Sequence, residues 1–181
     1  MIKGENITLR AIEPHDIDLM YNWENDISIW PVSGTLTPFS KQTMIDFLEN
    51  SKEDIYTAKQ LRLAVDKNNS PSDSQPTIGY IDLYDFDPFH RRAGVGILIA
   101  DKDSRRSGYG LESIELLCEY SFGVLNLHQL FCNVHKNNAP SIQLFTAAGF
   151  KNNGELLDWT ITNGKWTNVV VMQKINNDKS L

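Results

Sequence analysis

The sequence predicts an α+β (mixed α/β) domain, and three observations carry that reading. The hydrophobic period changes at one point: Ile97, Leu98, Ile99 and Ala100 form a continuous apolar run, whereas Leu111, Ile114, Leu117, Cys118, Ser121 and Phe122 recur at helical spacing. A further strand, Gln129 to His135, follows that helix, and a parallel pair joined by one helix requires a right-handed crossover. Finally, Asn163-Gly164 separates two strand-like runs, Leu156 to Thr162 and Trp166 to Ile175, which signals an antiparallel hairpin.

The other elements follow in order. Ile7 to Ile12 alternates well enough for an edge strand, and Pro14 suits the first turn of a helix continued by Ile17, Met20, Tyr21, Trp23 and Glu24. A loop over 27–37 carries Trp30, Pro31 and Gly34. Ser40 caps a second helix reaching about Glu53, with Met44, Ile45, Phe47 and Leu48 on its buried side. Leu61 to Val65 is a strand, and 66–76 is a polar, proline-punctuated hairpin connection expected to be mobile. Thr77 to Tyr84 resumes as a strand with Ile81 and Leu83 on one face and Asp82 and Tyr84 on the other, so Asp82, Tyr84 and Asp85 form a polar cluster. Ala93 to Ala100 leads into the central loop, where Gly94 and Gly96 suggest a bulge or a close approach by ligand backbone. Pro140 to Ala147 is a helix closed by Gly149.

Composition bounds the function. At 181 residues, 41% hydrophobic and 22% charged, the chain is expected to be a single globular domain spanning 1–181. A net charge of −6 argues against nucleic-acid binding and suits a cationic partner. No apolar run approaches the roughly 20 residues of a membrane span and the first residues are not a secretory signal, so a cytoplasmic, membrane-free protein is expected. Cys118 and Cys132 lie among apolar neighbours and read as buried free thiols rather than disulfide or metal ligands; no metal is expected.

The segment between strand and helix carries the chemistry. Arg105, Arg106, Ser107, Gly108, Tyr109 and Gly110 precede a helix start, where unpaired N–H groups and the positive dipole end suit a phosphate or pyrophosphate. Glycine lets backbone approach the anion, and arginine adds charge. The same residues also fit a solvated turn; an ATP-type or dinucleotide loop is absent.

This loop resembles the Arg/Gln-x-x-Gly-x-Gly/Ala signature of the GNAT acyl-CoA-dependent N-acetyltransferases. Asn138-Ala139-Pro140-Ser141 through Gly149-Phe150 is similar to a second motif of that family. Phe89-His90-Arg91-Arg92-Ala93, 120–128 and Gly154-Glu155-Leu156-Leu157-Asp158 resemble bacterial spermidine N-acetyltransferases and the related ribosomal-protein N-terminal acetyltransferases. The resemblance covers 78–175. It implies a GNAT-like fold: a mixed, mostly antiparallel sheet of about six to seven strands with one splayed parallel pair and helices on both faces.

What the resemblance implies for function is direct attack of a neutral primary amine on the thioester of acetyl-CoA, with acetyl-CoA as co-substrate. Arg105 to Gly110 would take the pyrophosphate, the free amides of Leu98, Ile99 and Ala100 the pantetheine arm and the thioester carbonyl, and Asn133, Asn138 and Ser141 further CoA contacts. Glu24, Asp26, Trp30, Asp82, Tyr84 and Asp85 are candidate acceptor contacts. A carboxylate such as Asp82, or an ordered water, must remove a proton, because an amine with a pKa near 10.4 is almost wholly charged at neutral pH. His90, beside two arginines, reads as loop structure rather than base. Phe145 stands where the polyamine enzymes carry a tyrosine acid; Ser141, one turn earlier on the same face, could hold the sulfur or a water. The acceptor reads as a polyamine such as spermidine, with a protein N-terminus, an amino sugar or antibiotic amine, or a non-catalytic CoA- or polyamine-binding role as alternatives. The resemblance leaves room for a homo-oligomer.

Overall fold

The computed structural model describes residues 1–71, 76–162 and 164–177. Eight strands form one sheet: β1 (Ile2–Lys3), β2 (Ile7–Ala11), β3 (Leu61–Lys67), β4 (Thr77–Asp87), β5 (Arg92–Ile99), β6 (Gln129–His135), β7 (Lys151–Thr162) and β8 (Lys165–Ile175). Their order is β1-β2-β3-β4-β5-β6-β8-β7, antiparallel throughout except for β5 and β6. The helical segments are α1 (Ile17–Glu24), α2 (Trp30–Ser33), α3 (Lys41–Asn50), α4 (Ile55–Ala58), α5 (Tyr109–Gly123) and α6 (Ala139–Ala147). The expected mixed sheet with one parallel pair is therefore present, one strand richer than anticipated. The extra strand is β1, whose two residues are too few to show a period, and it covers the β2 edge at Thr8 and Leu9.

Two apolar layers flank the sheet. On one face, Ile7, Leu9, Leu63, Val65, Ile81, Leu83, Leu130 and Cys132 pack under Ile114 and Leu117 of α5 and Phe145 of α6. On the other, Met20 of α1 and Met44 and Leu48 of α3 close over Ile12 and Ala64. Ser40 caps α3 through Thr43, as expected, while Ile45 stays partly exposed at 37%. Burial pushes the Cys118 and Cys132 thiols up to about 11 and about 12, which keeps them protonated packing groups. Ser72, Asp73, Ser74 and Gln75 of the polar connection and Asn163 of the hairpin signal lie outside the described residues; β7 and β8 are nevertheless antiparallel partners.

The feature that positions the site is the parallel pair. Register runs Arg92↔Gln129, Ala93↔Leu130 and Gly94↔Phe131 and then stops, although β5 continues for five residues and β6 for four. Tyr84 sits at the divergence. Its ring covers Gly94 so closely that a Cβ there would lie 2.2 Å from Tyr84 Cε2, and it meets Phe131 edge-on with centroids 5.7 Å apart. Gly94 is thus glycine to admit a tyrosine ring, not a bulge or a ligand. The register shift falls instead between Tyr84 and Asp87, where Asp85 takes φ 50.

Gly94→Ala should therefore destabilise the fold by about 1–3 kcal/mol through overpacking. Tyr84→Ala in the same chain should recover part of that loss, read as a coupling energy in urea titrations of the two single variants and the pair.

Candidate active site

Beyond Gly94 the gap between β5 and β6 opens into a cleft of about 620 Å³ that crosses the sheet. Its one wall comes from α1, α3, β3 and β4 (Glu24, Phe47, Arg62, Tyr80, Asp82, Tyr84), its other from β6 and α6 (Asn133, His135, Asn138, Ser141, Phe145).

The end of β5 is asymmetric. Ala100 N–H donates to the Ile78 carbonyl at 2.9 Å, so Ala100 is bonded towards β4. Alternation along an antiparallel ladder turns Leu98 the same way and aims the amides of Ile97 and Ile99 into the cleft. The expected trio of free amides thus narrows to Ile99 and gains Ile97. Gly79 permits this tight pairing, since a Cβ there would lie 1.9 Å from the Leu98 carbonyl oxygen.

The loop after β5 is built locally. Asp101 receives the Asp103 N–H at 3.3 Å and the Ser104 hydroxyl, folding a short 3-10 turn. Gly108 then opens α5 at φ 86, with no side chain capping the helix start and no atom within 4 Å of where its Cβ would stand. The first amides of α5 consequently face outward beside exposed Arg106 and Ser107, with half-buried Tyr109 and Gly110 behind. Arg105 is committed elsewhere: its Nε donates to the Ile99 carbonyl at 2.8 Å and its Nη2 to that of Ala100 at 3.4 Å. It ties the loop to the strand end. On the far wall, Asn138 Oδ1 caps α6 through Ser141 N–H at 3.2 Å, leaving its amide nitrogen towards the cleft.

The wall formed by α1, α3, β3 and β4 holds one cation and two anions. Arg62 binds Asp82 with both arms, Nε to Oδ1 at 2.7 Å and Nη2 to Oδ2 at 3.1 Å, and donates Nη1 to Glu24 Oε1 at 2.8 Å. Tyr80 donates its hydroxyl to the same Glu24 oxygen at 2.6 Å. The guanidinium lies 4.0 Å from the Tyr80 ring centroid and 5.0 Å from that of Phe47. Burial opposes the Arg62 charge, but Asp82, Tyr80 and Glu24 hold it above its ordinary value, so it stays protonated. Burial pushes the Asp82 carboxyl above the usual carboxylate range; Arg62 pulls it down and Glu24 adds to the rise. Both Asp82 oxygens are occupied, whereas Glu24 Oε2 has no bonded partner among the described residues.

The structure separates the remaining predicted residues. Glu24, Asp82, Tyr84, Asn133, Asn138, Ser141 and Phe145 converge on the cleft. Burial raises the Tyr84 phenol to about 12, against the pull of the Asn133 N–H. Three expected acceptor contacts do not line the cleft. Asp26 receives the Ser28 N–H at 2.8 Å and feels Lys102 and Arg105, so it belongs to the side of the arginine loop. Trp30 donates its indole N–H to the Glu24 carbonyl at 2.8 Å and closes the turn after α1. Asp85 borders a separate groove with Gln129 and Gln173. Phe145, 3% exposed, packs edge-on against Phe150 at 5.1 Å. His90 bonds Asp87 at 2.7 Å and structures its loop. Sequence reading missed Arg62 and His135. Arg62 stands directly across from Asp82 in the β3–β4 register, a pairing visible only once two distant strands are aligned.

Removing the Arg62 cation should leave two carboxylates facing each other, at a cost of about 3–5 kcal/mol in Arg62→Met. Asp82 then titrates further above its unfolded value of about 3.8, so its contribution favours folding below that pH and is lost as pH rises. Urea midpoints of the variant should fall more steeply than the parent's as pH rises above about 4, and Asp82→Asn should flatten the slope.

Comparison with known proteins agrees with this geometry. Residues 6–151 match the acetyltransferase (GNAT) domain family. The spermidine N(1)-acetyltransferase of Vibrio cholerae is 28% identical over 170 residues, covering 92% of this chain and 91% of the relative. That of Escherichia coli K12 is 25% identical over 175 residues, covering 95% and 87%. The crystal structure of the Vibrio cholerae spermidine N-acetyltransferase with CoA and spermine superposes at a TM-score of 0.83, with 24% identity over 95% of this chain and 96% of that one. A sheet that splays beside a glycine-opened helix, matched by the family over most of its length, makes this chain a member of the GNAT family of N-acetyltransferases.

Proposed function

We propose that the protein moves the acetyl group of acetyl-CoA to a primary amine of a polyamine such as spermidine. The observation that carries this reading is the charge balance of the acceptor wall: two carboxylates share one guanidinium, leaving a surplus negative charge beside the opened strand pair. A cation that enters there offsets the surplus, and an uncharged or anionic acceptor does not. The relatives named as spermidine acetyltransferases support the same choice.

The residues present fit acetyl-CoA. Arg106, Ser107, Gly108, Tyr109 and Gly110 at the uncapped start of α5 offer amides and charge to a pyrophosphate, and Gly108 leaves room for it. Ile97, Ile99, Asn133 and Asn138 present backbone and side-chain amides to the pantetheine arm along the gap. Acetyl-CoA supplies the activated thioester. Glu24 anchors the ammonium and, through Oε2, takes its proton directly or by way of water. The amine then attacks the thioester carbonyl, whose oxygen gathers charge within reach of the Ile97 and Ile99 N–H groups. The C–S bond breaks, the attacking nitrogen sheds its second proton, and water held near Ser141 passes a proton to the thiolate in balance, since Phe145 has none to give.

A thiol-release panel with spermidine, spermine, an amino sugar and a peptide N-terminus tests the reading. Polyamines should turn over fastest; a faster peptide or sugar would replace the proposal. Glu24→Gln should raise the acceptor KM about tenfold or more and lower kcat, with CoA affinity held within about twofold. Phe145→Tyr should raise kcat, with about 10²–10⁴-fold as the ceiling for general-acid help. Ser141→Ala should lower kcat in the parent and much less in the tyrosine background, measured by steady-state kinetics.

A further inference from the structure

Two proton movements of the transfer have no ionisable side chain assigned to them. The attacking nitrogen must shed its second proton and the thiolate must gain one, yet Phe145 has no proton to exchange and both Asp82 oxygens are held by Arg62. Water alone is a weak acid and a weak base, whereas an imidazole accepts and releases a proton near neutral pH. Of the four histidines, His135 lines the cleft. His90 bonds Asp87 and His15 lies 3.6 Å from Asp16, but among the described residues the His135 ring has no hydrogen-bond or ionic partner.

The strand places this ring on the side from which the amine enters. Tyr84 meets Phe131 edge-on, so Phe131 shares the face of the sheet that carries Arg62, Asp82 and Tyr84. Alternation along β6 then sets Asn133 and His135 on that face, while Cys132 and Val134 between them join Phe145 in the large core. Height along the gap agrees. The β5–β6 register, continued beyond Gly94↔Phe131 at the same offset, brings Leu98 level with His135, between the Ile97 and Ile99 amides that face the cleft. The His135 carbonyl accepts the Asn138 N–H at 2.8 Å, and Asn138 in turn caps the helix start at Ser141, so half-buried His135 stands at the corner beside Ser141.

We infer that His135 is the proton carrier of the transfer, an inference that rests on the acetyl transfer to an amine proposed above. Glu24 takes the first proton from the ammonium. As the C–N bond forms, the neutral His135 ring takes the second proton from nitrogen. As the C–S bond breaks, the imidazolium returns a proton, through the water near Ser141, to the thiolate. The ring ends as it began, and no further reactant is needed. The charged and titratable groups around it are Glu24, Arg62, Tyr80, Asp82 and Tyr84 on the facing wall, and Lys136 beside it, paired with Glu155 at 2.7 Å. Val95–Ile99 of β5, Ala139–Ala147 of α6 and its β8 partner Val169 add none.

Steady-state kinetics of the full chain across pH test this, with whichever amine turns over fastest in the panel above. His135→Gln should lower kcat about a hundredfold, hold the acceptor KM and CoA affinity within about twofold, and flatten the fall of kcat on acidification, because a ring already protonated cannot accept. Added imidazole should restore part of kcat in His135→Ala, which a structural histidine would not allow. Phe145→Tyr should recover a larger share of kcat in the His135→Gln background than in the parent. Circular dichroism and thermal melting check each fold, and His135→Asn carries the same readouts if the glutamine variant unfolds. Parental kcat and pH profile in His135→Gln, or a His135→Ala rate indifferent to imidazole, would overturn the inference and leave acetyl transfer intact. A sugar or peptide acceptor would displace the polyamine reading alone, and a chain that acetylates no amine would overturn both.

Discussion

A sheet interior has no spare backbone groups, and this fold depends on breaking that rule at one place. Parallel pairing of β5 and β6 ends at Gly94↔Phe131, and beyond it the strands part so that β5 amides face the opening. Such a gap closes unless something holds it. Tyr84 does so from β4 by lying over the one residue without a Cβ and abutting Phe131 across the opening. Arg105 stabilises the same gap from the other side by satisfying the Ile99 and Ala100 carbonyls. One side chain read as a phosphate ligand thus bonds two backbone carbonyls, while Arg106 beside it stands exposed.

The acceptor wall follows a similar economy. A buried ion pair contributes little net stability, because desolvation consumes most of the attraction. The Arg62 cluster is therefore better understood through its function than through its stability. Asp82 fixes the guanidinium with two bonds, Tyr80 and Phe47 sandwich it, and the arrangement holds Glu24 at the cleft with one oxygen engaged and one open. Both Asp82 oxygens are engaged by Arg62, whereas Glu24 keeps Oε2 without a bonded partner among the described residues.

Much of this was legible in the sequence. Periodicity located the long strands and helices because each buries one face, and the Gly108-Tyr109-Gly110 run marked the helix start because only glycine takes φ 86 without strain. What escaped depended on distance in sequence. Asp26 and Trp30 read as acceptor contacts because the resemblance sets the acceptor site under this helical region, and in the structure each bonds within its own loop. Asp85 shares a strand with Asp82, but the register shift after Tyr84 carries it to another groove. Arg62 looked like any charged strand residue, since its partners stand 20 and 38 positions away.

The cleft also straddles two unequal cores. Its β6–α6 wall rests on the large cluster that includes Phe145 and Val134, while Met20 and Met44 of the facing wall belong to the small cluster, whose other fully buried members are Ile12, Leu48 and Ala64. Amides of α1 and α3 should exchange with solvent through local opening long before those of α5. Substitutions in the small cluster then perturb one wall and leave the other folded. A lineage built this way can remodel one wall of its cleft while the other keeps its shape, which turns a modest difference in packing into evolvability.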